Sequence, residues 1–318
     1  MTDESPFFSI IIPVYNKETS LSNCLSQLEK MTFSCEIIFI DDGSTDNSSK
    51  LIQEWLNAHD SLHSLLLTQK NAGPGSARNK GINAANGKYI WFLDVDDFFN
   101  ISALKHLHDL LEEKNNPDIL NFCYKHIKRI PNPHDFDTLQ DAVPLKAEEA
   151  LLFEPINVWS HIFKTSFIKS NNIRFPDYYY SEDLVFTIHC YCAADNIYKT
   201  DTIVYLYYQN FSSLSLGFLN NHIDDFVKSL NYLYKYSKQY PKAEEELLYK
   251  IETESNWFLS HCKKDNTFLS IEKQIFSLHE KFNTRKTIYH RLDESISSRY
   301  TSSRAWKLVN LLQKLKHK

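Results

Sequence analysis

The segment 89-YIWFLDVDDFFN-100 joins an apolar run directly to three carboxylates. Its first five residues carry the aromatic and branched side chains that favour a buried β-strand. Asp94, Asp96 and Asp97 follow at once, and carboxylates this close together repel one another. Because one residue separates Asp94 from Asp96, both side chains can face the same side of the strand end. The segment therefore predicts a strand that ends at a cation site.

Strand and helix signals alternate before this segment. Apolar segments typical of strands occur three times, at 7-FFSIIIPVYN-16, 35-CEIIFI-40 and 64-SLLLT-68. Apolar residues recur at helical spacing from about 18 to 30 and from 51 to 56, and a short helix accompanies 70-KNAGPGSARNKG-81. Nearly continuous apolar strands that alternate with helices predict an α/β, Rossmann-like fold. In that fold, helices flank a mostly parallel sheet.

Ligands of such sheets bind beyond the carboxyl ends of the strands. Those ends here are followed by polar segments that would meet in one crevice: PVYNKE, DDGSTD, NAGPGSAR and DVDD. Oxygen ligands at DVDD favour a hard divalent ion such as Mg²⁺ or Mn²⁺, and a site with so few carboxylates points to a phosphorylated ligand. Asp42, beside Gly43, can accept hydrogen bonds from a base or a ribose. Arg78 can pair with a phosphate or brace one of the aspartates.

Two of these residues have purely structural alternatives. Asp97 lies close to the next helix, where an aspartate is often only an N-cap, and this alternative weighs as much as a ligand role. Arg78, taken alone, is equally well explained by a structural salt bridge. The pair Asp94 and Asp96 is harder to explain as capping.

Taken together, the motifs resemble glycosyltransferase family 2: SIIIPVYNKE, CEIIFIDDGSTD, NAGPGSARNKG and YIWFLDVDD, in this order and spacing. The match is strong from residue 8 to about 100, with weaker similarity to about 216. The resemblance implies a GT-A fold and an enzyme that transfers a hexosyl or N-acetylhexosaminyl group with inversion. The donor would be a nucleotide-diphosphate sugar, usually a UDP-sugar. The acceptor would be a glycan, or a lipid-linked glycan, of cell-surface polysaccharide or lipooligosaccharide.

The resemblance also assigns residues on the donor side. It implies donor contacts from Pro13, Tyr15, Glu18, Asp42, Arg78 and Asp94. Asp42 would contact the base, usually uracil, and Asp94 would lie by the ribose. Asp96, with Asp94, would hold a Mn²⁺ or Mg²⁺ ion that neutralises the diphosphate leaving group. Arg78 would lie near the nucleotide or brace this metal site.

The segment 181-SEDLVF-186 opens a helix with two carboxylates, Glu182 and Asp183. From the residues alone, helix capping and compensation of the helix dipole explain the pair. Family members place their catalytic base in such an ED pair. The resemblance therefore implies that Asp183 removes the proton of the acceptor hydroxyl, and that Glu182 supports it.

Aromatic residues near this pair are candidates for the acceptor site. Tyr179 and Tyr180 directly precede it and can stack on sugar rings, although tyrosines here can also pack in the core. Trp159 and His161 lie in a segment that resembles the family only loosely. For His161 the alternatives are a phosphate contact and a buried histidine satisfied in the core.

The segment 205-YLYYQNFSSLS-215 resembles the family loop that folds over the donor phosphates. Ser213 and Ser215 match the loop, but Tyr208 stands where members carry an arginine. One expected cation on the diphosphate is therefore absent, and His161 and Arg78 are the candidates to replace it. This departure supports the alternative of a non-catalytic nucleotide-sugar-binding or scaffold protein that retains the fold.

Glycine usage divides the chain. All six glycines lie at or before Gly217, which predicts a catalytic domain at 1–217 and an all-helical region at 218–318. Within the catalytic domain, the nucleotide-sugar half is expected at about 1–100 and the acceptor half at about 101–217. The proline-rich stretch 131–144 is expected to be an exposed loop.

The helical region has two expected kinds of partner. It can pack on the catalytic domain or on a second copy of the chain, which would make a homo-oligomer. Its last segment, 299–318, is basic and carries Trp306, so it predicts either peripheral contact with an anionic membrane or a helix docked on the domain.

Composition bounds the remaining classes. The chain has 318 residues, 42% of them hydrophobic, and a net charge of −5, which argues against nucleic-acid binding. Its six cysteines show no CxxC spacing, so free buried thiols are expected. The N-terminus lacks a signal-peptide pattern, and no apolar run reaches the about 20 residues needed to cross a bilayer. We expect a cytoplasmic protein, with 299–318 as the candidate contact to the inner membrane face.

Overall fold

The computed structural model describes residues 5–31, 33–59, 62–136, 139–208 and 222–261, with positions 275 and 277. The chain divides into two compact units, Met1–Ala147 with Pro155–Ser215 and Glu148–Glu154 with Leu216–Lys318. The boundary predicted between 217 and 218 falls in 209–221, outside the described residues, and stays a prediction.

Strands and helices alternate through the first hundred residues, as the apolar pattern predicts. The strands are β1 (Phe8–Val14), β2 (Cys35–Asp41), β3 (His63–Thr68), β4 (Tyr89–Phe92), β5 (Phe98–Phe99), β6 (Ile119–Ile127), β7 (Ala142–Leu145), β8 (His161–Lys164) and β9 (Ile197–Tyr208). The helices of the described residues are α1 (Glu18–Leu28), α2 (Ser48–Ala58), α3 (Pro74–Ala84), α4 (Ile101–Glu113), α5 (Ala147–Phe153), α6 (Thr165–Ser170), α7 (Glu182–Ala193), α8 (Ile223–Gln239) and α9 (Glu244–His261).

The strands of the first unit form one sheet in the order β3-β2-β1-β4-β8-β6-β9-β5, and β7 also pairs with β9. β1 is parallel to both β2 and β4, and β2 is parallel to β3. β8 is antiparallel to β4 and to β6, so β6 runs in the same direction as β4. β9 is parallel to β6. The carboxyl ends of β1, β2, β4, β6 and β9 therefore lie at the same edge of the sheet.

Helices cover both faces of this sheet. A Cβ added at Gly81 of α3 would come within 2.3 Å of Ile11, so α3 lies directly on the face of β1 that carries Ile11. Phe39 is in register with Ile12, whose side chain points to the opposite face, and the Phe39 ring packs on Trp55 of α2. The predicted α/β architecture, with a mostly parallel sheet flanked by helices, is confirmed.

The core of the first unit is centred on β1, β2 and β4. Every residue of β2 and β4 is buried, as expected for strands covered on both faces. Trp91 is fully buried, and its indole N–H donates to the Trp159 carbonyl at 2.9 Å. The predicted exposed loop over 131–144 is wrong at its end, because Ala142–Leu145 pair with β9.

The second unit contains helices in its described residues. The ring of Phe226 in α8 stacks on that of Phe258 in α9 with the centroids 4.0 Å apart. Within the described part of the chain, no helix is both long and apolar enough to cross a membrane. The segment 299–318 lies outside the described residues, so its predicted membrane contact is untested.

Candidate active site

The loops after β1 and β2 are fastened to each other at the carboxyl edge of the sheet. Asn16 adopts a left-handed conformation with φ of 50°, and its side-chain oxygen accepts from the Thr45 amide at 2.8 Å. Glu18 accepts from the backbone and side chain of Asn47 at 3.2 and 2.8 Å. The carboxylate of Glu18 thus holds the neighbouring loop, a role that the sequence did not predict.

The β1 loop also presents two predicted donor contacts and one residue that the sequence analysis missed. Tyr15 is 45% exposed and Pro13 is half-buried at the end of β1. Lys17 forms an ion pair with Asp96, the predicted metal ligand. The signal for Lys17 was its place in PVYNKE, a segment already expected at the same edge as DVDD.

Asp42 is buried and closes the turn that precedes α3. Its carboxylate accepts from the Gln69 side chain at 2.8 Å, the Ala72 amide at 2.9 Å and the Gly73 amide at 2.8 Å. Gly73 has a φ of 89°, a conformation that glycine adopts without strain. Asp42 therefore shapes the 69–73 loop, and these three bonds occupy most of its acceptor capacity.

Arg78 brings three predicted site residues together. One terminal nitrogen lies 2.9 Å from Glu182 and 2.9 Å from Asp183, and the other lies 3.1 Å from Asp94. Arg78 is only 4% exposed. Of the roles considered for it, bracing the aspartates fits this geometry, and the same contact ties the end of β4 to the start of α7.

Burial and charge together shift the pKa values in this cluster. Burial lowers the pKa of Arg78, but the charges of Asp183, Asp94 and Glu182 outweigh it and raise that pKa. Burial also raises the pKa of Glu182 to about 8, with a further contribution from Asp183 and opposition from Arg78. The pKa of Asp183 is raised mainly by burial, again against Arg78. A carboxylate whose pKa moves towards neutral pH is better suited to accept a proton in catalysis.

The start of α7 is not an ordinary acidic cap. Ser181, which precedes the helix, is left-handed with φ of 62° and makes no side-chain capping bond. Non-glycine residues held in this conformation cluster at functional sites. Glu182 and Asp183 lie in the first turn, where they compensate the helix dipole, but both also pair with Arg78, which capping alone does not explain.

Asp97 has a structural role different from the predicted cap. The N-cap of α4 is Asn100, whose side chain accepts from the amides of Ser102 and Ala103. Asp97 is 3% exposed and accepts from the Tyr205 hydroxyl at 2.6 Å and the Tyr208 amide at 2.7 Å. Burial, and then the charge of Asp94, raise its pKa to about 8. The capping alternative for Asp97 is therefore wrong, and Asp97 fixes the end of β9 beside Asp94.

The tyrosines before α7 divide between core and surface. Tyr178 is buried, Tyr180 is half-buried and Tyr179 is 43% exposed. The Tyr179 hydroxyl donates to the Asn71 side chain at 3.0 Å, and its ring covers Gly73, where a Cβ would come within 3.0 Å of it. The Tyr179 ring thus lies on the 69–73 loop that Asp42 shapes.

Two acceptor candidates lie inside the protein instead. His161 is fully buried, and its ring nitrogen is 2.6 Å from the Tyr191 hydroxyl. Burial lowers the pKa of His161 to about 3, so the ring is neutral. The alternative of a histidine satisfied in the core fits, and neither the acceptor nor the phosphate contact does. Trp159 is 7% exposed and stacks on Tyr205 at 4.5 Å, which makes it a core residue that backs the site.

Of the segment 205–215, which was predicted to fold over the donor phosphates, residues 205–208 belong to β9 and 209–215 lie outside the described residues. Tyr208, which replaces the arginine of the family pattern, is half-buried and donates its amide to Asp97. Ser213 and Ser215 lie outside the described residues, and their predicted donor contacts are untested.

A divalent ion fits the chemistry of the donor set at the end of β4. Asp96 keeps 26% of its side chain exposed and Asp94 keeps 33%, and both offer the carboxylate oxygens that Mg²⁺ and Mn²⁺ prefer. Among the described residues, no group of three or more potential ligands is arranged to hold a metal. Waters and substrate oxygens would complete the coordination, as is usual for Mg²⁺.

Comparisons with known proteins bear on the family and the fold. A family model, glycosyl transferase family 2, matches residues 9–152. A poly(ribitol-phosphate) β-glucosyltransferase of Bacillus spizizenii is 33% identical over 205 residues, 63% of this chain and 32% of that protein. The chain thus spans about a third of the length of that relative.

A second relative covers more of both chains. YibD of Escherichia coli, an uncharacterized glycosyltransferase, is 30% identical over 251 residues, 75% of this chain and 70% of that protein. The crystal structure of Staphylococcus aureus TarS 1–349 in complex with UDP-GlcNAc has a TM-score of 0.62 at 22% identity. It covers 77% of this chain and 71% of that chain, and it supports the GT-A fold. The chain belongs to glycosyltransferase family 2.

Proposed function

We propose that the protein is an inverting, metal-dependent glycosyltransferase. It would transfer a hexosyl or N-acetylhexosaminyl group from a nucleotide-diphosphate sugar, with a UDP-sugar as the first candidate. The acceptor would be a hydroxyl of a glycan in cell-surface polymer synthesis. The observation that carries the proposal is the Arg78 cluster, because it joins Asp94 of the DVDD segment to Asp183, the candidate base. The named activity of the Bacillus spizizenii relative is of the same class.

The donor would bind across the carboxyl ends of β1, β2 and β4. Tyr15 is exposed at this edge, and the loop that Asp42 shapes follows β3, which ends at the same edge. Asp96 and Asp94 would hold a divalent ion, which supplies positive charge to the diphosphate leaving group. Lys17, the present partner of Asp96, lies where it can pair with a donor phosphate.

The acceptor hydroxyl would bind against Asp183. Asp183 takes the hydroxyl proton while the acceptor oxygen forms its bond to the anomeric carbon. The bond from that carbon to the diphosphate oxygen breaks on the opposite side, and the nucleoside diphosphate leaves. An α-linked donor thus gives a β-linked product. Arg78 orients the Asp183 carboxylate and shares its charge with Glu182 and Asp94.

The proposal is tested by nucleoside-diphosphate release from a panel of nucleotide sugars, with glycoside acceptors and Mn²⁺ or Mg²⁺ present. Asp183→Asn should lower the rate by about 10²- to 10⁴-fold, the usual contribution of a general base. Asp177→Asn, which changes an exposed aspartate just before Tyr178, is the matched control and should retain the wild-type rate.

Two results separate the alternatives. Full transfer activity in Asp183→Asn would show that Asp183 is not the base. Nucleotide binding without turnover of any donor would favour the non-catalytic nucleotide-sugar-binding protein.

A further inference from the structure

A basic cleft lies at the carboxyl end of β6. It has a volume of about 450 Å³ and is lined by Lys125, His126, Ile127, Lys128, Arg129 and Asp135. Three of these side chains are cationic and one is anionic, whereas the whole chain has a net charge of −5. The cleft therefore carries a local excess of positive charge on a chain whose net charge is negative.

One ion pair holds the wall of the cleft in shape. Arg129 makes a two-pronged contact with Asp135, at 2.7 and 2.8 Å, and the same carboxylate accepts from the Asn132 amide at 2.8 Å. Arg129 and Asp135 therefore neutralise each other, and the pair serves to fix the loop. The surplus charge of the cleft comes from Lys125 and Lys128.

These two lysines have donors to spare. Both are exposed, and neither has a carboxylate within 4.0 Å in the described part of the chain. The Lys125 ammonium donates to the Asp135 carbonyl at 3.0 Å. Because an ammonium carries three N–H groups, it keeps donors for a ligand.

The cleft lies at the same sheet edge as the candidate active site. β6 and β4 run in the same direction, so both end at this edge. His126 is in register with Tyr207 of β9, and their rings pack edge to face at 5.2 Å. The next residue, Tyr208, donates its amide to Asp97 of the DVDD segment. β9 thus links the cleft to the carboxylate cluster, on the side away from β1–β3.

We propose that this cleft binds an anionic group of the acceptor glycan, a phosphate diester or a carboxylate, through Lys125 and Lys128. The inference rests on the proposed function and adds the chemical class of the acceptor. The donor would occupy the ends of β1, β2 and β4, so a second anion site on the β6 side serves the acceptor. Charged repeats in the acceptor would hold its hydroxyl near Asp183.

The test is binding of fluorescent oligomers at low ionic strength, followed by anisotropy. The probes are a short alditol phosphodiester oligomer, an oligouronide and a neutral oligosaccharide of equal length. Lys125→Gln/Lys128→Gln should weaken binding of at least one anionic probe by about fivefold to twentyfold, as expected for two exposed ion pairs. Lys30→Gln/Lys50→Gln changes the net charge equally at exposed positions on the β1–β2 side and should bind as the wild type does.

The probes and controls identify the ligand and the cause of a failure. The two anionic probes distinguish phosphate from carboxylate. Equal weakening in both double variants would mean a net-charge effect only, and unchanged binding in the cleft variant would equally overturn the proposal. Vesicles of phosphatidylglycerol and phosphatidylethanolamine serve as an additional probe. A cleft variant that loses binding to these vesicles but keeps binding to the oligomers would also overturn the proposal. UDP-induced thermal stabilisation, recorded in parallel, tests the proposed function separately, since the cleft variant should leave it unchanged.

Discussion

Replacing Arg78 by methionine should destabilise the first unit strongly. The change removes a guanidinium that is 4% exposed and leaves Glu182, Asp183 and Asp94, which now lie 2.9, 2.9 and 3.1 Å from it, without their shared cation. Breaking a buried ion pair by removing one partner costs about 3–5 kcal/mol. We expect a loss of about that size near neutral pH.

The loss should depend on pH in a defined direction. Without Arg78, the folded-state pKa values of Glu182 and Asp183, already raised by burial, rise further. The folded state then keeps protons that the unfolded chain has released above about pH 4, so stability falls as the pH rises. Because the wild-type pKa of Glu182 is already about 8, a further rise separates the variant from the wild type mainly above that pH. The destabilisation of Arg78→Met should therefore be larger at about pH 9 than at about pH 7.

Peptide-resolved hydrogen exchange in urea measures this loss for the first unit separately from the second. Peptides from β1 and β4 report on the core that the cluster joins to α7. Arg129→Met is the control, since it removes an arginine with an equally short pair to Asp135 but with 55% of its side chain exposed. It should change stability little, because exposed pairs contribute little.

A second substitution separates the charge effect from lost packing. Adding Glu182→Gln to Arg78→Met removes one of the repelling carboxylates and should recover part of the lost stability. The reasoning is refuted if Arg78→Met, like Arg129→Met, leaves the free energy of unfolding nearly unchanged at about pH 8. It is also refuted if the loss does not vary with pH.

Two further changes test the surroundings of the cluster. Asp97→Asn should flatten the pH dependence of stability. In the folded wild type the pKa of Asp97 is raised to about 8. Between the unfolded and folded pKa values of this residue, the free energy of unfolding of the wild type should therefore fall by up to about 1.4 kcal/mol per pH unit. Urea unfolding across that range should show the gap to the wild type changing with pH, and a constant gap would contradict the assignment. Asn100→Ala removes the cap that accepts from Ser102 and Ala103 and should cost about 1 kcal/mol; no loss in urea unfolding would mean that the capping bonds do not form in solution.

The sheet and its carboxyl edge were predictable because their signals are local. Four apolar runs, each followed by polar residues, specify parallel strands and the edge where Asp42 and Asp94 were expected, whereas Asp183 came only from the family resemblance. The partners of those carboxylates were not predictable in the same way. Arg78 meets Glu182 across 104 residues of sequence, and only the fold decides whether it braces carboxylates or contacts phosphate.

Burial and contacts between distant segments explain the other differences between the predictions and the structure. The sequence around His161 does not show whether this histidine is buried or exposed. Only the structure shows that it lies in the core, where its ring contacts the Tyr191 hydroxyl. For Asp97, the N-cap of α4 and a ligand role were predicted with equal weight. Asn100 is closer to the start of the helix and occupies the N-cap position. The sequence analysis did not single out Lys17 and predicted Glu18 only as a donor contact, because their partners lie far away in the chain, in the DVDD segment and in the loop after β2.

Isothermal titration with UDP, in Mn²⁺ and in EDTA, tests the central claim most directly. The claim is that Asp96 and a divalent ion hold a nucleoside diphosphate at the carboxyl edge of the sheet. The wild type should bind UDP in Mn²⁺ and at least about tenfold more weakly in EDTA, a difference of about 1.4 kcal/mol. Asp96→Asn should bind weakly in both, and Asp109→Asn, an exposed control on α4, should match the wild type. Equal UDP binding with and without metal, or unchanged binding in Asp96→Asn, would contradict the account.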